Sequence, residues 1–209
     1  MYFDIGANMG RWCMSNAYHC DKIISVEADP EIHKALEKNI HDNMFENKII
    51  PLNYVVTSRP ETEIEFYKCV ESHTLSTLNL DWLLHEKSRF FGLHYETITC
   101  NTISLDHLIE LYGLPELIKI DVECGEFDCI SSLHQKVDTL CFEWASEMKD
   151  IAFSCIDHLK QIGFTKFFIQ FQDEYTFRPQ IEDFKEMEEI CEQLKHTVEK
   201  EDWGMIWCK

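Results

Sequence analysis

The chain has 209 residues, ample for one domain with a full core and slim for two. Nineteen lysines and arginines stand against 38 aspartates and glutamates, a formal net charge of −19, and a chain that acidic repels nucleic acid and anionic membrane surfaces alike. Apolar runs fall far short of the roughly 18–20 residues that span a bilayer, and the N-terminus lacks a signal-peptide pattern, so neither membrane insertion nor secretion is expected.

The first strand, around Asp4-Ile5, runs into the turn Gly6-Ala7-Asn8-Met9-Gly10 and a short helix predicted over 11–20. A second strand, 23–27, ends in Glu27. Asp29-Pro30 then supplies an N-cap and a first-turn proline for an amphipathic helix reaching about Asn43. A third strand covers 49–56. From 61 to about 101 the rhythm breaks: 62–70 and 95–101 alternate like antiparallel strands around a polar, aromatic-containing stretch, an insertion expected to shape a substrate pocket. Regularity returns with a helix between a Ser104 cap and a Gly113 stop. There follow a buried strand at 117–121, a helix from about Gly125, a buried strand at 139–143, a helix at 148–162 and a strand at 164–171. An acidic helix over 182–192 has the spacing of a solvated face, and a last strand covers 204–208.

Strand and helix patterns thus alternate from end to end. They predict an α/β fold: a Rossmann-like, seven-stranded sheet with helices on both faces plus a small antiparallel insertion, all in one domain over 1–209. The ten cysteines contain no Cys-x-x-Cys pair, and several, such as Cys141 and Cys208, lie in apolar strands. That distribution fits free thiols packing as small hydrophobes and a reducing, cytoplasmic setting, not a zinc cluster or a disulfide frame.

The glycine turn and the acid of Glu27, about twenty residues on, form the skeleton of a nucleoside site, with backbone N–H groups close to the ligand and the acid accepting from the ribose hydroxyls. A dinucleotide turn reads Gly-x-Gly-x-x-Gly. Here Ala7 and Asn8 follow Gly6, and the glycine that admits a pyrophosphate is missing. Asp4 would also repel a diphosphate but suits a cation, and S-adenosylmethionine carries an ammonium and a sulfonium. The expected cofactor is therefore S-adenosylmethionine. Asp4 and Asn8 are placed at its methionine end, Gly6, Ala7 and Gly10 shape the turn, and Glu27 with the adjoining Ala28 takes the ribose.

Five segments carry a wider likeness: Phe-Asp-Ile-Gly-Ala-Asn-Met-Gly (3–10), Val-Glu-Ala-Asp-Pro (26–30), Ser-Leu-Asp-His-Leu (104–108), Ile-Lys-Ile-Asp-Val-Glu-Cys-Gly-Glu (118–126) and Cys-Phe-Glu (141–143). In this order and spacing the chain resembles FkbM-type methyltransferases. The resemblance implies an S-adenosylmethionine-dependent O-methyltransferase acting on hydroxyls of sugars or polyketide-like metabolites. Two departures stand out. Cys124 intervenes where the family has glycine directly after Asp-Val-Glu, which predicts an altered turn. The chain also begins almost at the first strand, as a minimal form or a domain cut from a longer protein whose neighbouring domains would be its partners.

Asp121 and Glu143 end two central strands, where ligands bind in open α/β sheets, and Asp121 is also a candidate cofactor contact. Glu123 lies two residues further on. Acids there can bind the cofactor ammonium, hold the acceptor hydroxyl as a general base, or chelate magnesium or manganese to lower its pKa. The sequence leaves these three open and assigns no metal ligand. His73, in the polar insertion, is the expected base for a sugar hydroxyl. Trp82 and Trp144 are candidates for flat faces against a sugar ring, and Tyr175 and Phe177 for closing over it. The expected activity is methylation of a carbohydrate hydroxyl, on a sugar or a glycan. Two alternatives are methylation of a polyketide-like or other small metabolite and a non-catalytic cofactor-binding domain. An NAD oxidoreductase is disfavoured by Asn8.

Overall fold

The computed structural model describes residues 1–59 and 63–209; the predicted strand start at 62 and insertion start at 61 lie outside them. Eleven strands form in the described residues: β1 (Tyr2–Ile5), β2 (Ile23–Val26), β3 (Ile49–Leu52), β4 (Val55–Val56), β5 (Glu63–Cys69), β6 (Tyr95–Ile103), β7 (Leu117–Ile120), β8 (Thr139–Ala145), β9 (Lys166–Phe171), β10 (Lys185–Glu186) and β11 (Trp203–Cys208). The helices are α1 (Arg11–Asn16), α2 (Pro30–Asp42), α3 (Asp81–Leu84), α4 (Leu105–Tyr112), α5 (Glu126–Ile130), α6 (Lys149–Gln161) and α7 (Met187–Lys195). None is long and apolar enough to cross a membrane. All ten cysteines are free thiols.

The main sheet has the order β3-β2-β1-β7-β8-β11-β9-β10. The chain builds outward from β1 on one side, then returns to β7 on the other. The reversal between β1 and β7 is a topological switch point, and the crevice at the carboxyl ends of those strands is where such sheets bind ligands. β11 runs antiparallel between β8 and β9.

Period-two alternation splits the core into two layers. Phe3, Ile5, Ile118, Ile120, Leu140 and Phe142 pack with residues of α4, α5, α6 and α7. Leu117, Cys141, Met205 and Trp207 pack with residues of α1 and α2. Asp4, Lys119 and Glu143 alternate with the first set, so these three polar residues share the α1–α2 face. The caps form as the sequence predicts: Asp29 accepts the Glu31 N–H at 2.8 Å and Ser104 accepts the His107 N–H at 3.0 Å.

Three elements differ from expectation. The strand predicted over 49–56 is two strands, because the Asn53 amide turns back to donate to Glu27 O and Ala28 O at 2.8 and 2.9 Å. β4 then pairs in parallel with β6 in the small sheet, beside the expected β5–β6 hairpin. The acidic helix starts at Met187. Ahead of it Gln180 and Asp183 cap each other across a short 3-10 turn, Phe184 is buried, and Lys185–Glu186 adds an eighth strand against β9. The first helix stops at Asn16.

Side-chain ties hold the insertion to the sheet. Lys68 on β5 reaches Asp29 at 3.4 Å and also pairs with Glu31. Arg89 grips Glu147, just past β8, through Nε at 2.6 Å and Nη2 at 2.8 Å. The Glu147 side chain is fully enclosed and that of Arg89 is 20% exposed. Removing one partner of a buried pair leaves the other uncompensated. Glu147→Ala should therefore cost about 3 kcal/mol in denaturant unfolding, the low end for such pairs because Arg89 keeps some water. A loss under about 1 kcal/mol would show the pair to be a surface contact.

Candidate active site

A cavity of about 770 Å³ opens at the carboxyl ends of β1, β2, β7 and β8, within the size range of small-molecule sites. One end is built by the glycine turn. Gly6 sits at φ +73°, and a Cβ there would lie 1.8 Å from Asp121 O, so only glycine lets the turn pass the end of β7 this closely. Gly6 N–H and Ala7 N–H both donate to Val26 O, at 3.0 and 2.9 Å. Asn8 is left-handed at φ +49°, and its N–H donates to Glu27 Oε2 at 2.8 Å. The other carboxylate oxygen of Glu27 accepts the Asp29 N–H at 2.9 Å. Glu27 therefore locks the turn onto β2 while still bordering the cavity with Ala28. Burial outweighs those two N–H bonds and raises its pKa to about 7.

Asp4 is placed differently from the expectation. It is wholly enclosed and does not line the cavity, so it cannot touch a methionine ammonium. It is the register partner of Lys119 across β1–β7, and the two pair at 3.2 Å. Lys119 Nζ also lies 3.3 Å from Asp121 and donates to Gly6 O at 3.1 Å. Burial pulls the Lys119 pKa down, but the carboxylates of Asp121 and Asp4 outweigh it and leave it raised. Lys119 borders the cavity and is the functional candidate the sequence reading missed. Its signal was a lysine inside an otherwise apolar, doubly buried strand.

Asp121 and Glu143 come together as expected. With Glu123 they offer carboxylate oxygens within 4.8 Å of one another. Burial first, then mutual repulsion, pushes Glu123 and Glu143 well above the ordinary carboxylate range. Three carboxylates at this spacing could hold a hard divalent cation. Protons on Glu123 and Glu143, with Lys119 beside Asp121, relieve the same repulsion without one. Asp173 borders the cavity from the β9 side, its pKa raised to about 6 by burial and then by the Asp121 charge.

His73 reaches the cavity, but its tautomer is set against the expected role of base. Asn8 Oδ1 accepts the Met9 N–H at 2.8 Å, which leaves Nδ2 to donate to His73 Nδ1 at 3.1 Å. A neutral imidazole that accepts at Nδ1 carries its proton on Nε2 and presents a donor. The tryptophans also change places. Trp82 and Trp144 are core, against Phe90 and Phe171, whereas Trp12 and Trp203 border the cavity. Tyr175 lines it, while Phe177 stacks on Phe168.

The sequence model of the family described as the methyltransferase FkbM domain matches residues 4–196. The chain belongs to the FkbM methyltransferase family. Its activity class is accordingly S-adenosylmethionine-dependent methylation. No curated protein matches this FkbM domain in sequence. Among solved structures it is similar to a precorrin-8w decarboxylase from Methanobacterium thermoautotrophicum, at 8% identity and a TM-score of 0.52, covering 100% of this chain and 80% of that one. It is also similar to an S-adenosylmethionine-dependent O-methyltransferase from Thermotoga maritima, at 11% identity and a TM-score of 0.48, covering 99% and 57%. At such identities the first likeness shows the fold alone.

Glu126, the first residue of α5, is buried behind the acids, accepts the Val122 N–H at 3.1 Å and has its pKa raised to about 8, chiefly by burial. A carboxyl whose folded pKa exceeds its unfolded value stabilises the fold when protonated. That contribution is complete below about pH 4.5 and is lost as pH climbs through about 8. Glu126→Gln keeps the acceptor and cannot ionise. Its thermal midpoint should match the parent near pH 5 and exceed it by several degrees at pH 8.5. A difference independent of pH would refute the assigned ionisation.

Proposed function

We propose that this FkbM domain methylates a carbohydrate hydroxyl, on a sugar or a glycan, with S-adenosylmethionine as donor. The observation that carries the reading is one cavity lined both by the turn that Glu27 locks onto β2 and by the carboxylates of Asp121 and Glu143. Bound S-adenosylmethionine supplies a methyl group already activated by its sulfonium, so the protein mainly has to align the acceptor, exclude water and manage one proton.

At the donor end each oxygen of Glu27 retains a lone pair after taking one backbone N–H, and these accept the ribose hydroxyls beside Ala28. Gly6, Ala7, Asn8 and Gly10 hold the turn open to the cofactor. Lys119, held by Asp4, Asp121 and Gly6 O, fixes the wall beside the turn, and Asp4 acts through Lys119 rather than by contact. At the acceptor end Asp121 is the carboxylate placed to take the hydroxyl proton. Glu143 and Glu123, holding protons, orient the sugar by hydrogen bonds, and His73 adds a donor. The Trp203 indole, together with hydroxyls at Thr74 and Ser76, gives the mix of flat apolar and polar groups that sugar rings take.

Calorimetric titration with S-adenosylhomocysteine should show micromolar binding. Stabilisation by NAD without S-adenosylhomocysteine would overturn the reading. Each hydrogen bond to a charged group contributes about 1.5–3 kcal/mol, so Glu27→Ala should weaken S-adenosylhomocysteine by about a hundredfold or more; an unchanged affinity removes Glu27 from the site. With glycosides as acceptors, Asp121→Asn should cut turnover by roughly 10²–10⁴, the range for loss of a general base. Wild-type turnover in that variant would reassign the proton acceptor.

A further inference from the structure

We propose that Arg178 is a positioning residue for the amino-acid half of the cofactor, acting through Asn16, Trp12 and Tyr175. The inference rests on the methyltransferase reading above. After β9 the chain turns at Gln172, left-handed at φ +62°, whose N–H donates to Trp203 O at 2.8 Å. Asp173 and Tyr175 then border the cavity, as Trp12 of α1 does. Residues 173–178 belong to no strand or helix, and beyond the turn in which Phe177 N–H donates to Glu174 O at 2.9 Å side chains help hold this wall.

Arg178 does so. Its guanidinium lies over the rings of both Trp12 and Trp207, at 5.6 and 5.3 Å from the centroids. Nη2 donates to Asn16 Oδ1 and Nη1 to Phe177 O, both at 2.6 Å. Among the described residues no carboxylate pairs with it, and burial lowers its pKa. A largely buried guanidinium without an acid is costly, and here two indole faces and two oxygens are the compensation. Asn16, fully buried, passes the constraint on: its Nδ2 donates to Tyr175 O at 3.0 Å and Trp12 O at 2.9 Å. One cation thus fixes the helix that follows the glycine turn and the segment carrying Tyr175. None of these contacts involves Glu27 or Ala28, the residues assigned to the ribose.

The test compares S-adenosylhomocysteine with adenosine, which lacks the amino-acid half, by calorimetry on the whole chain. Arg178→Ala should weaken S-adenosylhomocysteine more than tenfold and leave adenosine within twofold, with Arg178→Lys recovering part of the loss. Tyr175→Ala leaves the buried cation in place and should reproduce the selective loss, which keeps the test open if Arg178→Ala does not fold. Equal weakening of both probes in these variants, or S-adenosylhomocysteine affinities within twofold of the parent, overturns the proposal. A parent protein that binds neither probe overturns the functional reading, and this inference with it.

Discussion

The Lys119 ammonium, enclosed beneath the glycine turn, ties together three pieces of chain that the β1–β7 ladder brings side by side. It faces Asp4 across the β1–β7 register, reaches Asp121 past the end of its own strand and donates to the carbonyl of Gly6. Breaking a buried ion pair by removing one partner typically costs 3–5 kcal/mol, and here one cation answers two carboxylates at the switch point of the sheet. The turn is drawn so close to the end of β7 that a single methyl group at Gly6 would strike Asp121 O. The opening of the cavity, the placement of Asp121 and the geometry of the turn all follow from that contact.

An excess of carboxylates over cations shapes the neighbouring acid cluster. Asp121, Glu123 and Glu143 converge with Glu126 buried close by, and Lys119 is the cation that pairs directly with the cluster. Burial and the neighbouring carboxylates raise the pKa of Glu123 and Glu143 well above the ordinary carboxylate range, which favours the protonated over the charged form. The turn that follows Val122 is strained as well. It leaves both Glu123 and Cys124 left-handed, at φ +53° and +64°, which costs of order 1–3 kcal/mol for each non-glycine residue. The insertion supplies the brace: Thr77 donates to Glu123 O and Asn79 to Cys124 O. The segment read as a pocket wall therefore also holds the turn on which the acid cluster sits.

Legibility differed by residue, for definite reasons. Gly6, Asn8, Glu27, Asp121 and Glu143 could be placed near a site because a glycine turn and acids at strand ends are local patterns. Asp4 could be assigned to that region but not to a partner, since its partner lies 115 residues away and is fixed only by strand register. His73 could be picked out as a polar residue of the insertion, but not its tautomer, which depends on what the other ring nitrogen meets, here the Asn8 amide. Trp82 and Trp144 looked like ligand faces and proved to be core. Which side a tryptophan faces is decided by the packing of whole layers.

By itself the sequence determined the α/β alternation, the helix caps, the glycine turn and the family, because each of these is written in neighbouring residues through dihedral preference, capping and periodic burial. Strand order, the enclosure of Lys119 between Asp4 and Asp121, the bracing of the Glu123–Cys124 turn by the insertion and the Trp12–Arg178–Trp207 stack were decided only by tertiary structure. Each joins residues distant in sequence whose contact exists only once the sheet has closed its register, and a buried charge has no identifiable partner until the fold has brought one to it.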